Sequence, residues 1–128
     1  MPTGKLQGLY IRKAVGDLNT ARNMRNPELF TQDAFGFHLQ QAVEKSLKAW
    51  SLLLGGSAPR IHDLRQLMLN LEKLGIDVDR YWALVELTPY GVQLRYEEDV
   101  QTTLDRESVF TLAESLVKDV ASVVEKSE

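Results

Sequence analysis

The sequence predicts an all-α fold: an up-and-down antiparallel bundle of four main helices plus a short extra helix. Three observations predict it. Apolar residues recur at intervals of three and four along long segments. Proline and glycine fall mostly between those segments, at Pro27, Gly55-Gly56, Pro59, Gly75, Pro89 and Gly91. No alternating apolar–polar run of useful length argues for a strand. Short links between long helices favour antiparallel neighbours. The 128 residues read as a single domain spanning 1–128, and 44% hydrophobic content is enough to bury a core.

The first helix is expected from about Thr3 to Met24, with Leu6, Leu9, Tyr10, Ala14, Leu18, Ala21 and Met24 at helical spacing. Asn26-Pro27 stops it, because the residue before a proline disfavours the α region. The second is expected from about Pro27 to Leu54, some 40 Å at about 1.5 Å per residue. Gly36 is a weak point within it that permits close packing. The third runs from His62 to about Leu74 on a stripe of Leu64, Leu67, Met68 and Leu71, with Gly75 as its stop. A shorter aromatic segment, about Asp79 to Leu87, is the extra helix. TPYGVQLRYEEDV, 88–100, reads as irregular. The last helix, about Leu104 to Lys126, carries Phe110, Ala113, Leu116, Val117, Val120, Val123 and Val124 on one side.

Composition narrows the chemistry. There are no cysteines, which removes disulfides, thiolate metal sites and cysteine nucleophiles together. Two histidines make a histidine-rich zinc site a poor expectation. The net charge of −3 argues against a general polyanion-binding surface, though a local basic patch is compatible with it. No apolar run approaches the roughly 18 residues of a membrane span, and MPTGKLQGLYIRK lacks a signal-peptide stretch. The chain reads as soluble and cytoplasmic, with no membrane, metal or cofactor implied.

The second helix carries the densest polar load, in HLQQAVEKSLKAW (38–50). On a helical wheel Phe35, Leu39, Ala42, Val43, Leu47, Ala49, Trp50, Leu53 and Leu54 gather on one broad arc. Gln40, Gln41, Glu44, Lys45 and Lys48 lie on the opposite arc, with His38 at the border. The plain expectation is a solvated face, stiffened by the Glu44–Lys48 pair one turn apart. The sharper alternative is a polar groove for a phosphate-bearing ligand or partner, with Lys45 and Lys48 as its cations. Periodicity does not choose.

Two other stretches hold candidate ligands. PRIHDLRQL (59–67) puts Arg60, His62 and Arg65 around a helix start, where free N–H groups favour anions. The competing reading is that His62 or Asp63 caps the helix and the arginines are solvated. QLRYEED (93–99) places Arg95 and Tyr96 before an acidic run, either as a phosphate contact or as an ion-pair partner. LLLGGSAP lacks the lysine and spacing of a phosphate loop. Nothing specifies Glu97 and Glu98 as an acid–base pair.

HLQQAVEKSLKAW, HDLRQLMLNL (62–71) and LRYEED (94–99), in that order and after a helix with Asp17 and Ala21, resemble the HEPN family of small helical domains. The likeness is to its minimal prokaryotic members and covers nearly the full length. The resemblance implies a bundle of four to five helices, working as a homodimer or within a complex. It implies association with a minimal nucleotidyltransferase, often from a neighbouring gene, in toxin–antitoxin-like pairs. It implies nucleotide or RNA binding, with Gln41, Glu44, Lys45, Lys48, His62, Arg95 and Tyr96 as the matching positions; Arg65 joins them from the helix-start reading. Two departures matter. The ribonuclease members carry Arg, four to six residues, then His; here Thr31, Gln32 and Asp33 precede His38 at that spacing, and Gly55, Gly56 and Ser57 precede His62. Glu97 also stands where the relatives usually carry proline. The expectation is therefore a non-catalytic HEPN protein without a catalytic residue set. The alternatives are a ribonuclease with a displaced site, using His62 and Arg95, and a purely structural dimerisation domain.

Overall fold

The computed structural model describes residues 5–91 and 103–127. They form α1 (Lys5–Asn23), α2 (Gln32–Leu53), α3 (Leu64–Lys73), a succession of 3₁₀ turns (Asp79–Gly91) and α4 (Arg106–Lys126), with no strand among them. The all-α bundle expected from periodicity is what forms.

Side-chain caps set the helix starts, and they move the expected boundaries. Thr31 caps α2 by accepting from the Ala34 N–H at 3.1 Å. The helix therefore begins five residues after Pro27, not at it. Asn26 Oδ1 instead accepts from the Glu28 N–H at 2.9 Å and holds a separate turn there. Asp63 caps α3 by accepting from the Arg65 N–H at 3.0 Å, leaving His62 outside the helix. Asp105 caps α4 through Ser108, whose N–H and hydroxyl donate to its two carboxylate oxygens. Such caps are each worth about 1 kcal/mol. Gly75 ends α3 at φ +92°, a left-handed turn that lets the Ile76 N–H reach the Leu71 carbonyl at 3.1 Å.

α2 is the central element: it packs against α1, α3, α4 and the 3₁₀ segment. Phe35, Leu39, Val43 and Leu47 are fully or almost fully buried, each contributing about 1.5–3 kcal/mol of apolar transfer. Gly36 allows one close approach, since a Cβ there would sit 2.4 Å from the Tyr90 ring. On α1 the buried stripe is Ile11, Ala14, Leu18 and Ala21, while Leu6 and Leu9 face outward. Val123, expected in the α4 stripe, is also exposed.

The 3₁₀ segment extends past the expected Leu87 into the stretch read as irregular. Its buried residues are Tyr81, Leu84, Leu87 and Tyr90, with Val78 just before. That spacing of three matches a helix of three residues per turn. Tyr81 donates to Asp119 of α4, and its ring meets Trp50 of α2 edge-on at 6.2 Å. Gln32, at the start of α2, donates to Tyr90 Oη at 2.6 Å and accepts from the Leu104 N–H at 3.0 Å. It thereby ties together the two flanks of residues 92–102.

Candidate functional site

Because α2 is enclosed by every other element, its polar arc is not a solvated face. Gln40, Glu44 and Lys48 are 0%, 5% and 6% exposed. This corrects the expectation from the helical wheel, which assumed one wet side. Residues at i, i+4 and i+8 form a single stripe, and this one faces the chain that links α2 to α3.

The stripe is a closed hydrogen-bond network. Lys48 Nζ donates to Glu44 Oε2 at 2.9 Å. Gln40 Nε2 donates to Glu44 Oε1 at 3.0 Å and to the His62 carbonyl at 3.1 Å. Gln41 Nε2 donates to Gln40 Oε1 at 2.7 Å. His62 Nδ1 lies 2.9 and 3.1 Å from the two Glu44 oxygens. Gly91 leaves room for the Gln40 amide, since a Cβ there would come 2.7 Å from Gln40 Cδ.

The charge state of Glu44 follows from these contacts. Burial pushes its carboxyl upward, but hydrogen bonds from Lys48, Gln40 and His62 and the Lys48 charge outweigh it. The result lies below the ordinary 4.5, so the group is ionised at neutral pH. An ionised carboxylate only accepts hydrogen bonds. His62 Nδ1 therefore carries the proton it donates, and in the neutral ring Nε2 holds the free lone pair. The His62 side chain is 66% exposed while that of Glu44 is 6% exposed. A buried carboxylate thus fixes the orientation and tautomer of a solvent-facing imidazole.

The other candidates fall elsewhere. Lys45 points to α1 and pairs with Asp17 at 2.6 Å, and His38 Nδ1 stands 3.9 Å from the other Asp17 oxygen. Arg65, in the first turn of α3, is exposed with its guanidinium over Trp82 at 5.9 Å. Arg60 is exposed and has no hydrogen bond or ion pair among the described residues. The α3 start is capped rather than open to an anion: Thr88 Oγ1 accepts from the Leu64 N–H, and Asp63 from that of Arg65. Arg95 and Tyr96 lie outside the described residues. So the fold brings Gln41, Glu44, Lys48 and His62 together and leaves Lys45 and Arg65 apart from them. Gln40, the hub between Gln41, Glu44 and the His62 carbonyl, was not among the sequence candidates. Its signal was the 40-44-48 spacing. Asp17, the partner of Lys45, lies in another helix and no local pattern reveals the pair.

Among the described residues no three His, Asp or Glu side chains converge as a metal site, and no helix is long and apolar enough to cross a membrane. What the fold defines is a helical domain with a buried polar network holding one exposed histidine. A family model, HEPN domain, matches residues 8–126, and the chain belongs to that family. Neither the curated proteins nor the solved structures give a match.

Proposed function

We propose that this HEPN protein binds a nucleotide or RNA, without cleaving it, along the edge formed by Arg60, His62 and Arg65. The observation that carries this reading is the exposed His62 ring held by the buried Glu44. Arg60 and Arg65, two residues before it and three after, supply the positive charge. Guanidinium groups suit phosphate because they donate in a planar fork. Lys45 and Lys48 pair with Asp17 and Glu44, so this reading puts the phosphate contact on the two arginines. The family resemblance supports two further parts: a homodimer, and a minimal nucleotidyltransferase as partner in a toxin–antitoxin-like pair.

Calorimetry at low salt with ATP, GTP and a short oligoribonucleotide tests this. We expect binding that weakens about ten-fold or more in the Arg60→Ala/Arg65→Ala double variant, since each phosphate contact to a cation is a charge-assisted bond. Absence of binding by the wild type to all three overturns it.

One observation favours a second reading, a ribonuclease with a displaced site: the Glu44–His62 pair has the geometry of an oriented base. Incubation with RNA separates the two. Cleavage by the wild type that His62→Ala abolishes supports the enzyme; no cleavage, or cleavage that persists in the variant, removes it.

A further inference from the structure

The same histidine has a chemistry beyond contact. Its Nδ1 faces a buried, ionised carboxylate, in the neutral ring so oriented Nε2 carries the lone pair, and the side chain stands open to solvent. Two exposed guanidinium groups lie within three residues of it along the chain. These are the parts a nucleophilic imidazole needs: a free nitrogen, a partner for the positive charge that forms on the ring, and cations for the oxygens of the incoming group.

We propose that His62 is a phosphoryl acceptor, taking a phosphoryl group on Nε2 from an activated donor such as a phosphoramidate or acyl phosphate. Glu44 is the positioning residue. This rests on the reading of the same edge as a phosphate-binding surface. In the step, the Nε2 lone pair attacks phosphorus and a P–N bond forms. The bond from phosphorus to the donor's leaving group breaks, and that group departs with the electron pair. The ring becomes cationic, and its Nδ1 proton stays hydrogen-bonded to Glu44 before and after. No protein group has to give up or gain a proton.

The fold supports this arrangement without rearrangement. Lys48 and Gln40 also hold the Glu44 carboxylate, at 2.9 and 3.0 Å. The Gln40 amide also fixes the His62 backbone through its carbonyl. Ring and main chain are both tied to α2. His38 Nδ1 is buried with no hydrogen-bond partner, its nearest carboxylate being Asp17 at 3.9 Å, and it serves as an internal comparison.

The full chain is incubated with potassium phosphoramidate at neutral pH, followed by intact mass, with peptide mapping under alkaline conditions. The expected result is an acid-labile phosphoryl group on His62. It should form about ten-fold faster or more than on His38, and than on His62 of the chain unfolded in urea, because the carboxylate activates only the folded site. His62→Gln should lose this product. Glu44→Gln, its helicity checked by circular dichroism, should slow it about ten-fold or more while His38 labelling is unchanged. If Glu44→Gln does not fold, the urea comparison decides. Labelling of His62 no faster in the folded than in the unfolded chain overturns the proposal. Ligand binding without fast labelling removes this inference alone, and fast labelling without ligand binding removes only the binding reading.

Discussion

Glu44 Oε1 and His62 Nδ1 meet at 2.9 Å, one group buried on the central helix and the other exposed in the link to α3. That contact makes α2 more than a core helix. Its polar stripe is sequestered from water and used to hold a residue that is not.

Removing one member of the buried pair should cost far more than removing the exposed histidine. Lys48→Ala leaves the Glu44 carboxylate buried without its cation, and we expect a loss of about 3–5 kcal/mol. Replacing both together, Glu44→Leu with Lys48→Met, should cost less than Lys48→Ala alone, because no buried charge is stranded. His62→Ala should cost about 1.5 kcal/mol, the low end for a hydrogen bond to a charged group, because the ring is exposed and the ion pair stays intact. Urea denaturation of the four proteins checks the order. A double variant less stable than Lys48→Ala would contradict it.

The same carboxylate predicts an acid limit. Its folded value lies below the ordinary 4.5, so it contributes stability at pH values above that point. The contribution fades as pH falls below 4.5 and is gone once pH has passed through the folded value. Thermal melts of the wild type and Glu44→Gln across pH 3 to 7 test this. Their difference should be largest near neutrality and shrink on acidification. A difference independent of pH would show that Glu44 acts through shape alone.

How much of this was legible in the sequence depends on what each residue's neighbours are. The α4 stripe and the α2 apolar arc were readable because a periodicity of 3.6 reports which residues share a face. Whether the opposite face is wet is not a local property. Gln40 and Glu44 are met by His62 of the α2–α3 link, and Gln40 by Gly91 at the end of the 3₁₀ segment, and no helical wheel contains those neighbours. The Val78, Tyr81, Leu84, Leu87, Tyr90 spacing was present in the sequence, but a reading tuned to periods of 2 and 3.6 passes over a period of 3. The family motif was visible as a run; that its charges bind one another required the fold.

Two glycines inside helices should respond oppositely to alanine. At Gly36 the new Cβ falls 2.4–2.5 Å from ring carbons of Tyr90, a buried side chain with little room to give. Overpacking of about 1–3 kcal/mol should exceed the roughly 1 kcal/mol that alanine gains in helix propensity. Gly16 of α1 is exposed, and a Cβ there meets nothing within 4 Å. Gly16→Ala should therefore stabilise by up to about 1 kcal/mol. Denaturant midpoints of the two variants on either side of the wild type would bear this out. A more stable Gly36→Ala would show that the Tyr90 ring moves aside.

Tyr81 gives the bundle an alkaline signature. Burial, then its hydrogen bond to Asp119 and that carboxylate's charge, push its phenol up to about 12 from 10.0, with Arg80 opposing. The folded value is the higher one. The stability it brings is therefore complete below pH 10 and is lost as pH rises through about 12. Ultraviolet difference titration should show a late phenol ionisation near pH 12 that belongs to Tyr81. Tyr81→Phe should remove that late step. A late step that survives in Tyr81→Phe would assign it to another tyrosine. A wild-type titration with no late step would mean that the Tyr81–Asp119 bond, which pins the 3₁₀ segment to α4, opens in solution.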